Sequence, residues 1–129
     1  MKIEKFKQIT STHTYLKENN SQYTENTVIL AEEQTGGIGT KGRSWHTGSN
    51  KNIAMSILYK PQKDVKNLEG LTIKIAEILK QTMQENYNIK LTIKEPNDLM
   101  LNKKKICGIL TESNTIGNKI NYVIISIGF

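Results

Sequence analysis

The chain has 129 residues, of which 36% are hydrophobic, enough for one modest core and too few for two ordinary domains. Its 18 Lys and Arg against 12 Asp and Glu give a net charge of +6, which favours anionic ligands such as nucleotides or nucleic acid. Cys107 is the single cysteine, which excludes an intramolecular disulfide, and every apolar run is far shorter than the roughly 20 residues of a membrane helix. With no apolar signal core near the N-terminus, the sequence predicts a cytoplasmic protein.

The first half of the chain predicts strands around a short helix. Residues 1–10 alternate loosely and predict a strand or coil, and Ser11 and Thr12 offer N-cap hydroxyls to a helix over 14–19. The β-branched run 27–32 predicts a buried strand that leads into a glycine-rich loop at 36–42. Residues 52–59 predict the next strand, which Pro61 ends because proline cannot donate to a sheet ladder.

The second half begins with the strongest helical pattern. Over 67–87, apolar residues recur at spacings of three, four and seven, which places them on one helix face: Leu68, Leu71, Ile75, Ile78, Leu79 and Met83. Strands are then predicted at 89–93, 106–112 and 120–127, with turns at 96–98, 102–104 and 113–119. This order predicts an α+β fold, a mixed β-sheet with helices packed on one face.

The loop from Gln34 to Trp45 (QTGGIGTKGRSW) is the first segment that suggests chemistry. Its glycines allow backbone N–H groups to approach an anion, and Lys41 and Arg43 add positive charge. The loop departs from both GxxxxGK[ST] and a helix-opening GxGxxG, so generic P-loop and Rossmann sites are excluded. Taken alone, an ordinary glycine-rich hairpin loop explains the pattern equally well.

Two later segments also carry polar groups suited to a nucleotide. In Lys94–Asp98 (KEPND), proline rigidifies a turn, Asn97 offers an amide, and Asp98 can hold a metal ion or orient a lysine. In Lys105–Glu112 (KICGILTE), the Lys105 ammonium can stabilise negative charge as it develops. Lys103 and Lys104 are expected to be a solvated hairpin tip.

Cys107 and the two histidines are expected to do no chemistry. Cys107 lies between apolar residues and a glycine, which predicts a packed core thiol. His13 and His46 are far apart and lack partners at metal-ligand spacing, so a structural zinc site is not expected.

Together these segments resemble the biotin-protein ligases. The loop is similar to the family's GRGRxGRxW with an upstream glutamine, the second segment to KWPND, and the third to K[LIV]xGILxE. The Ser11-Thr12 pair is similar to a family pair that faces the ureido ring of biotin. Four matches in the family's order, over about residues 10–128, are more specific than any one of them.

The resemblance implies the fold shared by biotin and lipoate ligases, related in architecture to class II synthetases. It implies two half-reactions, in which biotin and Mg-ATP give biotinyl-adenylate and pyrophosphate, and biotin then passes to a lysine of a carrier protein. The implied ligands are therefore ATP, Mg²⁺ and biotin. The implied partner is a biotin carboxyl carrier protein or biotin-dependent carboxylase, with a homodimer left open and neither nucleic acid nor a membrane expected.

The site residues follow from the same resemblance. The implied catalytic residues are Lys105, which in the family contacts both the biotin carboxylate and the α-phosphate, with Asp98 and Arg43. The implied biotin site comprises Ser11, Thr12, Gln34, Gly37, Gly39, Lys105 and Gly108. The implied ATP site comprises Thr40, Lys41, Gly42, Arg43, Trp45, Asn97, Asp98 and Lys105, with Asp98 also the candidate Mg²⁺ contact.

The chain departs from the family pattern at several positions. Ile38 and Thr40 stand where the family has arginines, Glu95 stands for a tryptophan, and His13 stands where asparagine is common. Thr40 is expected to weaken retention of ATP or adenylate. Because the chain reaches Phe129 just where the family's G[IV]GxN asparagine follows, we expect the N-terminal portion of a catalytic domain, without helix-turn-helix or C-terminal β-barrel domains.

Two other functions remain open. The nearer is a lipoate-protein ligase or lipoyl transferase, which has the same fold and related chemistry but a different acyl pocket. The other is a basic nucleic-acid-binding module, suggested only by the +6 charge and the run Lys103–Lys105. Aromatic residues are not interleaved with these lysines, which disfavours single-strand binding.

Overall fold

The computed structural model describes residues 1–47 and 51–129. Its strands are β1 (Lys2–Ile9), β2 (Thr27–Gln34), β3 (Ala54–Tyr59), β4 (Thr92–Lys94), β5 (Asp98–Leu101), β6 (Lys104–Ile116) and β7 (Lys119–Gly128). Its helices are α1 (Thr12–Asn19) and α2 (Leu71–Tyr87), with short 3₁₀ turns at Asn20–Gln22, Thr40–Gly42 and Val65–Leu68. Across the described residues, no helix is both long enough and apolar enough to cross a membrane.

All seven of these strands form one sheet in the order β1-β2-β3-β7-β6-β5-β4. The pair β1 and β2 is parallel, since α1 carries the chain back between them, and the other five pairs are antiparallel. The predicted α+β class with a mixed sheet is confirmed. The long β6–β7 hairpin lies near the centre, so both of its strands pair on each side.

The two helices lie against opposite faces of this sheet. Leu16 of α1 packs with Leu58 and Ile124, whereas α2 packs Ala76 against a cluster that contains Ile125. Successive strand residues point to opposite faces, so Ile124 and Ile125 of β7 mark the two sides. The prediction that the helices share one face is wrong, because helical periodicity shows which side of a helix is apolar and not which side of the sheet it covers.

Both helices begin at a residue that the backbone chemistry explains. The α1 helix starts two residues earlier than predicted, with the Ser11 hydroxyl accepting from the Thr14 N–H at 3.2 Å as its N-cap. The prediction that the second helix begins at 67 is wrong. Gly70 takes a left-handed φ of +72°, which separates the 3₁₀ turn Val65–Leu68 from α2.

Strand positions were predicted better than strand lengths. The strands expected at 27–32, 52–59 and 120–127 are present as β2, β3 and β7. The turn predicted over 113–119 is wrong for most of its length, since β6 continues to Ile116 and the chain reverses at Gly117 and Asn118. Of the strand predicted at 89–93, only 92 and 93 lie in a strand, β4, and the turn at Pro96 and Asn97 leads into β5.

Cys107 confirms the expectation of a packed thiol. Its side chain is fully buried in the cluster beneath α2. Burial, followed by the nearby Asp98 carboxylate, raises the pKa of the Cys107 thiol to about 12. The thiol therefore stays protonated at neutral pH and behaves as a small apolar side chain.

The packing of α1 can be tested with Leu16→Ala. Leu16 is 0% exposed, so removing its side chain should leave a cavity and lower the free energy of unfolding by about 2–5 kcal/mol in urea denaturation. Ile78→Ala is the control, because Ile78 is 62% exposed and its loss should change that free energy by about 0.5 kcal/mol or less. Equal effects of the two substitutions would contradict this placement of α1.

Candidate functional site

A cleft opens where the N-terminus of α1, the glycine loop and the middle of the sheet meet. The cleft lies on the α1 face of the sheet. Its lining from α1, β2 and the loop comprises Ser11, Thr12, His13, Gln34, Ile38, Gly39, Thr40 and Trp45, and the strands and turn contribute Ala54, Met55, Asn97, Lys105, Gly108, Ile109, Leu110, Ser126, Ile127 and Gly128.

The glycine loop folds back on itself as a small hairpin. The Trp45 N–H donates to the Gly37 carbonyl at 2.8 Å, and the Gly39 N–H donates to the Arg43 carbonyl at 2.6 Å, with the turn Thr40–Gly42 at the tip. A Cβ at Gly37 would overlap the Trp45 carbonyl, so glycine is required for this close approach. The hairpin brings Trp45 back to the cleft wall.

The Trp45 indole rests on two glycines of the sheet. A Cβ on Gly128 would overlap the indole nitrogen, and a Cβ on Gly108 would lie 2.9 Å from the edge of the ring. The Lys105 ammonium lies 5.2 Å from the centroid of the same ring, a cation–π distance. Glycine at these two positions therefore makes the space that the indole occupies.

Lys105 lines the cleft and is held there by Asp98. Its Nζ lies 2.8 Å from Oδ1 of Asp98, which is on the adjacent strand opposite Gly108. The Lys105 side chain is 39% exposed, so its ammonium remains accessible to a ligand. Of the two roles considered for Asp98, this ion pair favours the orientation of a lysine.

Asn97 uses part of its amide to hold the sheet together. Its Nδ2 donates to the Ile109 carbonyl at 3.1 Å, and the Ile109 N–H donates back to the Asn97 carbonyl at 3.0 Å. These bonds fix the turn before β5 against β6. A nucleotide contact by Asn97 stays a prediction. The side-chain oxygen of Asn97 takes no part in the two bonds to Ile109 and could accept a hydrogen bond from a ligand.

The cleft floor begins with Gln34, which is oriented at both ends of its amide. Its Oε1 accepts from the Thr12 N–H at 2.8 Å and lies 3.2 Å from Thr12 Oγ1. Its Nε2 donates to Thr47 Oγ1 at 3.2 Å. These contacts fix which end of the amide is oxygen and bring the start of α1 to the end of β2.

From Thr12 a chain of polar side chains crosses the sheet. Thr12 Oγ1 lies 2.8 Å from Ser56 Oγ, which lies 2.6 Å from Ser126 Oγ. Ser126 Oγ is 2.6 Å from Nδ1 of His13, whose Nε2 is 3.0 Å from Oε1 of Glu112. Buried polar groups are tolerated in an apolar sheet when each has such a partner.

Glu112 is the last side chain in this series of hydrogen bonds, and it is partly exposed to solvent. The hydrogen bond from Lys17, whose Nζ lies 2.8 Å from Oε2, lowers the pKa of the Glu112 carboxyl, and the hydrogen bond from His13 adds to the effect. The same bond to Glu112 raises the pKa of Lys17. Both side chains are substantially exposed, so the pair fixes an ionised carboxylate more than it stabilises the fold.

Most of the site residues predicted from the sequence meet at this cleft. Nine of them line it: Ser11, Thr12, Gln34, Gly39, Thr40, Trp45, Asn97, Lys105 and Gly108. Asp98 forms an ion pair with Lys105, which lines the cleft, and the Gly37 carbonyl accepts a hydrogen bond from the Trp45 N–H. Lys41, Gly42 and Arg43 are exposed on the loop tip and do not line the cleft.

Sequence reasoning missed His13 and Ser126 as cleft residues, and with them the buried link Ser56. The signal that could have found the serines is a single hydroxyl within an apolar strand, as in AMSILY and VIISIG. A polar residue in such a strand needs a buried partner, and the two serines supply each other. His13 lies in a helix next to Thr12, and nothing in its sequence context indicated a buried partner.

The described residues contain no group of three or more His, Cys, Asp or Glu side chains placed to hold a metal ion. Mg²⁺ in nucleotide sites takes one or two carboxylates together with phosphate oxygens. Such an ion would arrive largely coordinated by the nucleotide. Asp98 as its protein contact stays a prediction.

Comparison with known proteins decides the family. The model of the biotin/lipoate A/B protein ligase family matches residues 5–129. The chain belongs to this family. The resemblance read from the loop, the KEPND turn and the KICGILTE strand is thus confirmed at the level of the family.

Individual members of the family are similar over most of the chain. Identity is 35% over 109 residues to the bifunctional ligase/repressor BirA of Bacillus subtilis (strain 168), covering 84% of this chain and 34% of that protein. It is 33% over 102 residues to the biotin--[acetyl-CoA-carboxylase] ligase of Paracoccus denitrificans, covering 78% and 42%. The chain therefore spans less than half the length of each of these two relatives.

A solved biotin/lipoate ligase-family structure has the same fold. The biotin protein ligase from Aquifex aeolicus in complex with biotin and ATP aligns with a TM-score of 0.85 and 29% identity, over 99% of this chain and 51% of that one. The predicted biotin/lipoate ligase fold is confirmed over the described residues.

The fit between Trp45 and the glycines beneath it can be tested with Gly128→Ala. The added methyl should push the indole off the sheet and shift its fluorescence emission to longer wavelength, and Trp45 is the single tryptophan of the chain. Gly39→Ala is the control, since a Cβ there would meet the Arg43 carbonyl at an ordinary 3.6 Å. An unchanged emission spectrum in Gly128→Ala would contradict the described packing.

Proposed function

We propose that this chain carries the adenylate-forming site of a biotin-protein ligase, which activates biotin with Mg-ATP and transfers it to a carrier lysine. The observation that carries the proposal is a cleft lined both by hydrogen-bonding groups at Thr12 and Gln34 and by an oriented cation, Lys105. A polar ring bound on that floor would direct its acid chain toward the ammonium.

In the first half-reaction, a carboxylate oxygen of biotin attacks the α-phosphorus of ATP, and pyrophosphate leaves. The two reactants are both anionic, so their approach must be stabilised by fixed positive charge. Lys105, oriented by Asp98 and placed beside Trp45, supplies that charge without moving when the reaction occurs.

In the second half-reaction, the neutral amine of a carrier lysine attacks the acyl carbon of the adenylate. An amide forms, AMP leaves, and the amine loses a proton. Lys41 and Arg43 are the proposed contacts for nucleotide phosphates, and both are exposed on the loop tip next to Thr40, which lines the cleft. Mg²⁺, when bound, would neutralise part of the phosphate charge, with Asp98 as its proposed protein contact.

The polar floor favours biotin over lipoate. The ureido ring of biotin carries two N–H donors and a carbonyl, whereas the dithiolane ring of lipoate has no comparable groups for Thr12 and Gln34. Isothermal titration of the protein with each acid is the direct test. Heat of binding with biotin and none with lipoate is expected, and tighter binding of lipoate would overturn the proposal.

The partners of the reaction are part of the same proposal. The name of the Paracoccus denitrificans relative specifies an acetyl-CoA carboxylase as its substrate, and a biotin carboxyl carrier protein of such a carboxylase is the proposed acceptor here. A homodimer and a cytoplasmic setting stay predictions. The alternative of a nucleic-acid-binding module predicts oligonucleotide binding that weakens steeply with salt and ignores biotin.

Lys105→Gln tests the role of the oriented cation. The variant should lower biotin-dependent pyrophosphate exchange by about 10²–10³-fold and should also weaken biotin binding, because the ammonium faces the biotin carboxylate as well as the charge that develops at phosphorus. Lys103→Gln and Lys104→Gln are matched controls from the exposed hairpin tip and should change the exchange rate less than about twofold. An equal loss in all three variants would mean that general charge, rather than Lys105, is responsible.

Thr40→Arg tests the departure from the family pattern in the glycine loop. Thr40 lines the cleft, so an arginine there should add a charge-assisted bond to the adenylate and slow its release by about tenfold. Thr40→Gln, which is longer than threonine but uncharged, is the control. Release of radiolabelled adenylate that is no slower in Thr40→Arg than in the wild type would rule out this explanation.

A further inference from the structure

We propose that Thr47 is a positioning residue for the acid-binding cleft, because it holds the side-chain amide of Gln34 in the orientation that presents an N–H group to a ligand. Thr47 contacts Gln34 and is not itself one of the described residues that line the cleft. The inference rests on the proposed function and deepens it, since it names what Gln34 would bind, a hydrogen-bond acceptor such as the ureido carbonyl of biotin.

The oxygen end of the Gln34 amide is fully used by Thr12. Gln34 Oε1 accepts from the Thr12 N–H at 2.8 Å and from the Thr12 hydroxyl at 3.2 Å. An amide oxygen has two lone pairs, so both are occupied. What Gln34 can offer a ligand is therefore a proton of Nε2.

The nitrogen end of the same amide is held by Thr47. Nε2 carries two protons, and one of them is donated to Thr47 Oγ1 at 3.2 Å. Thr47 is 1% exposed, so water does not compete for this bond. The second Nε2 proton is left for an acceptor in the cleft, which Gln34 lines.

The backbone brings Thr47 to this position. The glycine loop runs from the end of β2 back to Thr47, and Gln34 and Thr47 form an antiparallel bridge at its base. Gly37 packs against the same amide, since a Cβ there would lie 2.6 Å from Nε2. Without the Thr47 hydroxyl, one Nε2 proton would face an apolar group, which favours other positions of the amide in which that proton is paired.

Thr47→Val removes the hydroxyl with almost no change in side-chain shape. Titration of biotin into the full chain should show affinity about threefold to tenfold weaker than in the wild type, the effect of one neutral hydrogen bond. Thr47→Ser keeps the hydroxyl and should restore most of the affinity. Equal affinities of wild type and Thr47→Val would overturn the proposal.

Thr27→Val is the matched control at the opposite end of β2. Thr27 is 0% exposed and its hydroxyl donates to the Thr24 carbonyl at 2.8 Å, so the same replacement removes one buried bond there. Its unfolding midpoint in urea should fall about as far as that of Thr47→Val, whereas its affinity for biotin should stay that of the wild type. Equal losses of affinity in the two variants would reflect stability alone and overturn the proposal.

A double-mutant cycle shows whether Thr47 acts through Gln34. In a Gln34→Ala background, or Gln34→Leu if that variant unfolds, Thr47→Val should not weaken biotin binding further. The fluorescence of Trp45, the single tryptophan, reports on the loop and should be unchanged in Thr47→Val. A further loss of affinity in the Gln34 variants, or a shifted Trp45 emission, would mean that Thr47 acts by holding the loop, and the proposal would be wrong.

The contact between Thr47 and Gln34 can also be observed without a ligand. In the ¹⁵N-labelled chain, the Gln34 side-chain amide signal is identified by its loss in Gln34→Ala. Thr47→Val should change its chemical shift and speed the exchange of its protons with water, and Thr27→Val should do neither. Identical signals in wild type and Thr47→Val would overturn the proposal. If the wild type does not bind biotin, the proposed function fails, and the amide signals still decide whether Thr47 holds Gln34.

Discussion

The pairing of β7 with both β3 and β6 is the constraint on which the cleft depends. Its register places Gly128 opposite Ala54 on one side and opposite Gly108 on the other, and Gly108 opposite Asp98. A row of small residues thus crosses the middle of the sheet and ends at the carboxylate that holds Lys105. A shift of one residue would turn bulky side chains of β7 into that space and close it.

The adjacent row supplies the chemistry of the floor. Ser56 pairs with Ser126 across β3 and β7, and the start of α1 lies over them so that Thr12 and His13 reach one serine each. Ser11 caps the same helix and so fixes where those two side chains begin. The same hydrogen bonds therefore fix both the polar floor and the position of α1 over it.

The sequence could predict the features that depend on neighbouring residues. The glycine loop, the KEPND turn and the position of Lys105 are local patterns, and nine of the residues chosen from them line the cleft. Helix α2 was found from its apolar repeat, but its start at Leu71 depends on a left-handed Gly70 that periodicity does not show. Ser56, Ser126 and His13 could not be grouped, because strand pairing joins the two serines over 70 residues and the packing of α1 on β7 joins His13 to Ser126 over 113 residues.

The same limit explains the error over the helices. Whether α1 and α2 share a face depends on the side of the sheet over which each connection passes, α1 between β1 and β2 and α2 between β3 and β4. No periodicity within a segment encodes that side.

Because Gly108 and Gly128 lack side chains, the backbone itself forms the part of the cleft wall beneath Trp45. Side-chain truncation, the usual way to enlarge a pocket, has nothing to remove at these positions. Substitution there can only make the cleft narrower. Acceptance of bulkier acids would have to be engineered from the opposite wall, at Trp45 and the loop that carries it.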